Sequence, residues 1–132
     1  ALEKDTTEIV TANGGKVLGS VRTPLNSSDF SSFLLQAQGS KAKIIGLANA
    51  GLDTNNSIKQ AAEFGIVRGG QKLAALLMTL ADVHGLGLEA AQGLVLTEGY
   101  YWDLNDRTRA FTQRALPRMP TGIYPSTNHA CA

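Results

Sequence analysis

His84 and Asp82 stand two residues apart in Ala81-Asp-Val-His-Gly-Leu-Gly87, the one place where this sequence offers a general base beside an acid that could orient it. A hydrolytic triad would also need a serine or cysteine in a strained elbow sequence, and none follows a strand here. Gly85-Leu-Gly87-Leu-Glu-Ala90 spells a G-x-G-x-x-A nucleotide signature after an apolar strand. The helix that follows runs only about five residues before Gly93, too short for the crossover of a dinucleotide-binding unit. No G-x-x-x-x-G-K-[ST] phosphate loop occurs. No Cys or His pair stands at metal spacing, so zinc is not expected from this chain, nor is any other cofactor. Cys131 sits one residue from the C-terminus, too isolated for an intrachain disulfide, and His129 falls in the same polar tail. Asp29, Asp53 and Asp106 each precede a helical pattern and read first as caps. Glu98 and Asp103 flank an aromatic cluster, where a salt bridge or hinge role suits them better than a hydrolytic pair. No catalytic residue is assigned.

The same residues suit binding better than chemistry. Asn49, Ala50, Gly51 and Asp53 follow one apolar strand; Thr79, Asp82 and His84 follow the next. Small residues let a ligand approach the backbone, and Asn, Thr and Asp side chains can orient an amine, hydroxyl or amide. The helix N-terminus after Asp53 could face a carboxylate. Tight turn chemistry is the equal alternative. Tyr100-Tyr101-Trp102 holds the single tryptophan and two of three tyrosines. It reads either as half-buried strand residues covering a sheet edge or as a hinge or binding-face cluster.

These candidates need a scaffold, and the sequence repeats one: helix, glycine-and-lysine stop, short apolar strand. The strands expected are Lys16–Val21, Lys43–Ala48 and Lys72–Met78. Helices are expected over residues 2–13, from Phe30 to about Gln38, and after Asp53 or Thr54 with Ile58, Ala61 and Ala62 inward. Residues 81–87 read as a loop, 88–92 as a short helical turn, 93–102 as a long strand and 107–114 as a last helix. The tail from Ala115 shows no periodicity. Strands alternating with helices predict an α/β fold, a three-layer sandwich with a mostly parallel sheet, whose ligands sit beyond the carboxyl ends of the strands.

A chain of 132 residues, 43% hydrophobic and 17% charged, fits one globular domain. No apolar run approaches the ~20 residues of a membrane span. A net charge of +1 with scattered Lys and Arg gives no field for nucleic acid.

Ser27-Ser-Asp-Phe30 with Leu34-Leu-Gln-Ala-Gln38, Lys43-Ile-Ile-Gly-Leu-Ala-Asn-Ala50 and Ile58-Lys-Gln-Ala-Ala-Glu-Phe-Gly65 together resemble the type I periplasmic solute-binding proteins of ABC importers. The similar branch is the leucine/isoleucine/valine-binding family. Glu89-Ala-Ala-Gln-Gly-Leu-Val95 looks like its entry to the strand returning to the first lobe, and Tyr101-Trp102 through Phe111 resembles the segment after it. Asp82-Val-His84 and Tyr100-Tyr-Trp-Asp-Leu-Asn105 look more like importers of aromatic acids. The resemblance implies a flavodoxin/Rossmann-like lobe of a non-enzymatic binder that closes about a hinge on a small organic solute. The solute would be an aromatic acid or amino-acid-like. It implies a periplasmic location, a membrane permease of an ABC importer as partner, and no nucleic acid. Residues 1–114 would be the C-terminal ligand-binding lobe, with the N-terminal lobe missing. Residues 115–132 would be an irregular tail or a remnant of the partner region. Asn49, Ala50, Asp53, Thr79, Asp82 and His84 would line this half of the cleft, with Tyr101 or Trp102 nearer the hinge. The competing expectations are a flavodoxin-like enzyme using Asp82 and His84, and the ligand-sensing module of a regulator.

Overall fold

Two of the expected strands form where apolar runs meet glycine or polar stops. A computed structural model describes residues 1–120 and 123–126. Strand β1 (Ile44–Leu47) and strand β2 (Lys72–Ala75) lie parallel, with Ile45 opposite Leu73 and Leu47 opposite Ala75. A short β3 (Val95–Leu96) joins β2, also parallel, giving the order β1-β2-β3. Because all three run the same way, their carboxyl ends share one edge of the sheet. Helix α1 (Leu2–Ala12) and helix α2 (Ser31–Gly39) precede β1. Helix α3 (Leu52–Glu63) crosses from β1 to β2, and α4 (Leu80–Leu86) follows β2. Among the described residues, helix α5 (Asp106–Ala115) and a 3₁₀ turn at Leu116–Arg118 come last. The α/β class with a parallel sheet is the architecture found.

Alternation of side chains along a strand decides where the core lies. Ile45, Leu47, Leu73 and Ala75 turn to one face, and α2, α3 and α4 cover it. One cluster joins Phe30, Leu34, Ala61, Ile66 and Leu73; a second joins Leu47, Ile58, Ala75, Met78 and Leu86. The opposite face carries Ile44 and Val95, each more than half exposed. Gln60 ties the chain entering α2 to α3: its Oε1 accepts from the Phe30 N–H at 2.8 Å and its Nε2 donates to the Ser28 carbonyl at 3.0 Å.

Three local expectations are corrected. Residues 16–21 form no strand: they run exposed and unpaired, and α1 before them buries no residue. Alternating apolar residues make a segment competent for a strand, but pairing needs a neighbour, and among the described residues β1 pairs only with β2. Residues 81–87 are helical to Leu86 rather than a loop. The long strand expected over 93–102 shrinks to Val95–Leu96, because the aromatic residues beyond it turn to α5 instead. There the Tyr100 hydroxyl donates to the Thr108 carbonyl at 3.0 Å, and its ring meets Phe111 edge-on at 5.7 Å. Asn105 caps α5, its Oδ1 accepting from the Arg107 and Thr108 N–H groups. Arg109 clamps the entering loop, reaching Asp106 at 2.7 Å and Asp103 at 3.0 Å.

Asp29 braces the start of α2. Its Oδ1 accepts from the Ser31 N–H at 2.8 Å, and bonds from the Ser31 side chain and backbone hold its pKa below the ordinary value. A carboxyl whose folded pKa is depressed contributes stability above its unfolded pKa and loses it as pH falls through the folded value. Acidification below about pH 4 is therefore expected to loosen the first turn of α2 before the rest of the chain. The Ser31 amide resonance in an acid titration reads this, and an Asp29→Asn chain should show no such early step.

Candidate functional site

Beyond β1, the backbone turns sharply into α3. Gly51 makes the turn at φ +58 and ψ −131, a conformation that a Cβ would strain. Asn49 is spent on holding that turn. Its Nδ2 donates to Ser57 Oγ at 2.9 Å and its Oδ1 accepts from Thr54 Oγ1 at 3.0 Å. Asp53 lies buried in the first turn of α3, where its Oδ2 accepts the Asn26 N–H at 3.0 Å. The turn-chemistry alternative therefore accounts for Asn49, Gly51 and Asp53, while Ala50 stays exposed.

Beyond β2, Thr79 caps α4. Its N–H and its hydroxyl both donate to Asp82 Oδ2 at 2.8 Å, the reach-back of a capping box. Glu98, entering from beyond β3, accepts the Leu80 N–H at 3.2 Å. Two carboxylates thus sit on the first free N–H groups of α4, where the helix dipole favours them. Asp82→Ala is expected to remove about 1 kcal/mol of local stability. Hydrogen exchange should show faster exchange at α4 amides, with β1 and β2 amides unchanged.

This arrangement separates Asp82 from His84. Residues two apart on a helix do not face each other, and Asp82 is engaged with Thr79. His84 is exposed and has no hydrogen-bond partner among the described residues. The acid–base pairing expected for an enzyme is not assembled. Instead His84 lines a concavity of about 320 Å³ with Leu80, Ala81, Gly85, Ile123 and Tyr124. The Tyr124 ring is stacked on Trp102, centroids 4.3 Å apart and planes 24° from parallel. Tyr101 sits beside Trp102 at 5.9 Å. The site is a shallow apolar bowl at the carboxyl edge, with one imidazole and one aromatic face. It can hold a flat ring and offer an N–H to an oxygen; among the described residues no serine, threonine or cysteine lines it.

Of the residues expected to bind ligand, His84 lines this concavity; Thr79 and Asp82 form the cap of α4, and Trp102 stands behind Tyr124, with Tyr101 beside it. Asn49, Ala50 and Asp53 belong to the neighbouring strand end and do not line this concavity. Ile123 and Tyr124 also line the concavity, and they lie in a tail that shows no periodicity; the signal available in the sequence is a third tyrosine beside a proline. His129 and Cys131 lie outside the described residues. Among the described residues, no group of three or more His, Cys, Asp or Glu could hold a metal ion.

A family model described as periplasmic binding protein matches residues 1–132. A periplasmic binding protein from Burkholderia mallei is 60% identical, with a TM-score of 0.84 over 98% of this chain and 34% of that one. A branched chain amino acid ABC transporter periplasmic ligand-binding protein from Burkholderia xenovorans is 39% identical, with a TM-score of 0.82, covering 98% of this chain and 36% of its own. An ABC transporter solute-binding protein from Rhodopseudomonas palustris, in complex with p-hydroxybenzoic acid, is 28% identical, with a TM-score of 0.75 over 88% of this chain and 32% of that one. No curated protein sequence matches. The chain spans about a third of these solved structures.

Proposed function

Because this chain belongs to the periplasmic binding protein family, type I, of ABC transporters, we propose that it supplies part of the solute site of an ABC importer's binding component. In this reading the solute is an aromatic acid, held at the carboxyl edge of the sheet and delivered to a membrane permease from the periplasm. Residues 1–114 would act as one lobe, closing by hinge motion against a second lobe not contained in the chain.

The observation that carries this reading is the bowl between α4 and Ile123–Tyr124. A flat acid can lie on the Tyr124 face, whose rear is fixed by Trp102, while the His84 imidazole donates to a carboxylate or phenolic oxygen. An α-ammonium group favours a carboxylate, and none of the described residues that line the concavity carries one; Asn49 Oδ1, Asp53 Oδ2 and Asp82 Oδ2 each already accept at least one hydrogen bond, from Thr54, Asn26 and Thr79. The p-hydroxybenzoate complex of the Rhodopseudomonas relative supports the same ligand class, while the Burkholderia xenovorans relative, a branched chain amino acid ABC transporter periplasmic ligand-binding protein, favours the other.

Isothermal calorimetry with 4-hydroxybenzoate and with leucine tests the choice. The expected result is 4-hydroxybenzoate binding weaker than about 10 μM, since one side of the ligand lacks its enclosing surface, and no heat from leucine. Tighter binding of leucine than of 4-hydroxybenzoate would overturn the aromatic-acid reading. Submicromolar binding of either would overturn the one-lobe reading.

A further inference from the structure

The opposite edge of the sheet, where the strands begin, carries a second concavity of about 380 Å³ lined by Gln38, Lys41, Ala42, Lys43, Gly69, Gly70 and Gln71. We infer that this concavity binds a phosphate group, held by Lys41 and Lys43 at the amino-terminal pole of the sheet, well apart from the solute edge.

The charge balance argues for an anion. Lys43 precedes β1 and Lys72 opens β2 beside it, with Lys72 opposite Ile44. Lys41 lies two residues before Lys43, and Arg68 leads into the Gly69-Gly70 turn. All four cations are exposed, and none forms an ion pair among the described residues. The ordinary reason for cations here is the carbonyl ends of α2 and α3, which point to this pole. Two helix ends supply roughly one negative charge in total, and Glu63 in the last turn of α3 adds one more. About two positive charges remain unbalanced, in a chain whose whole net charge is +1.

Backbone geometry supplies the second observation. Lys41 follows the C-cap Ser40 of α2 and holds φ +59, the left-handed position that helix ends usually give to glycine. Backbone strain of this kind persists only where the surrounding structure over-determines it, and it clusters at functional sites. The turn bearing it is braced from below: Gln71 Nε2 donates to the Ala42 carbonyl at 2.8 Å, and the Ala42 N–H donates to Ser40 Oγ at 3.2 Å. Across the concavity Gly70 turns at φ +99, leaving that wall without a side chain. Lysine ammonium groups act on phosphate as compact point charges, needing no bidentate geometry. Gln71 is a positioning residue in this arrangement, since it holds the lysine turn rather than the anion.

The phosphate could belong to a free solute or to a lipid headgroup, and two arms separate these. In the first, amide spectra of the chain are followed during titration with inorganic phosphate at constant ionic strength, with chloride as control. Saturable shifts at Lys41, Lys43 and Gly70 are expected. Lys41→Gln with Lys43→Gln should weaken them at least tenfold while the 4-hydroxybenzoate response is unchanged. In the second arm, the chain is sedimented with phosphatidylglycerol or phosphatidylcholine vesicles. Retention on the anionic vesicles alone, lost in the double variant, assigns a lipid headgroup; phosphate shifts without retention assign a free solute. Lys41→Gly separates function from structure: the thermal midpoint should rise, because strain is relieved, while phosphate affinity falls. The inference is overturned if chloride reproduces the shifts, if neither probe binds, or if binding survives the double variant or Lys41→Gly.

Discussion

Replacing Ile58 with alanine is expected to cost about 4 kcal/mol, raising the unfolded fraction by roughly a thousandfold. Ile58 is fully buried on the inner face of α3 and meets Leu47 of β1, Ala75 of β2, and Met78 and Leu86 around α4. Its partners belong to both long strands and to the helix that bears His84. The backbone on three sides is fixed by strand ladders and helix caps, so the space left by the missing carbons cannot collapse. That places the cost toward the upper part of the range for such truncations. Leu52, in the same helix but 78% exposed, is the control, since its truncation should stay within about 0.5 kcal/mol. Urea denaturation measures both. A lowered midpoint with an unchanged slope is expected for Ile58→Ala. A loss below about 1 kcal/mol would mean that the helix and sheet are not joined through this residue.

The strands at 44–47 and 72–75 were legible because each is an apolar run led by a lysine, Lys43 just before the first and Lys72 opening the second, with small residues or glycine around it. The segment at 16–21 has the same pattern and no partner. Sequence periodicity reports which face of a strand would be buried, while pairing is a long-range fact about what lies beside it. Val17, Leu18 and Val21 remain exposed accordingly. Helix α4 illustrates the reverse. Thr79-Leu-Ala-Asp82 spells a cap, but Gly85 and Gly87 pull the pattern toward a loop. Two carboxylates on its first N–H groups decide the matter, and one of them, Glu98, arrives from sixteen residues after Asp82.

At the site, topology told which loops meet, and hydrogen bonding told which side chains are already occupied. Asn49 and Asp53 have the right chemistry for a ligand amine and the right address, yet their polar atoms close the turn into α3. Short-range residue types could not distinguish those uses. Tyr124 was invisible for a different reason: Trp102, on which it stacks, and Leu80, Ala81, His84 and Gly85, with which it lines the concavity, lie far back along the chain.

Tyr124→Ala is expected to weaken 4-hydroxybenzoate binding at least tenfold, the largest loss among single changes in the bowl. Two effects add. The ligand loses an aromatic face, and an aromatic pair contributes about 0.5–1.5 kcal/mol beyond the area it buries. Trp102 also loses the ring stacked on it at 4.3 Å, so the wall that remains is less fixed. Tyr124 is itself 36% exposed but stacks on Trp102, so its truncation should lower the thermal midpoint by a few degrees, and unfolding that stays cooperative would show that the fold is kept. Tyr124→Phe keeps the face and should stay within about threefold of the parent chain. His84→Ala removes a hydrogen bond of about 1 kcal/mol and should weaken binding roughly fivefold. The double variant should depart from the product of the two single effects, since the ring and the imidazole share one ligand and one concavity. If Tyr124→Ala binds as tightly as Tyr124→Phe, the ligand does not lie on that ring, and the bowl between α4 and Ile123–Tyr124 is not the solute site.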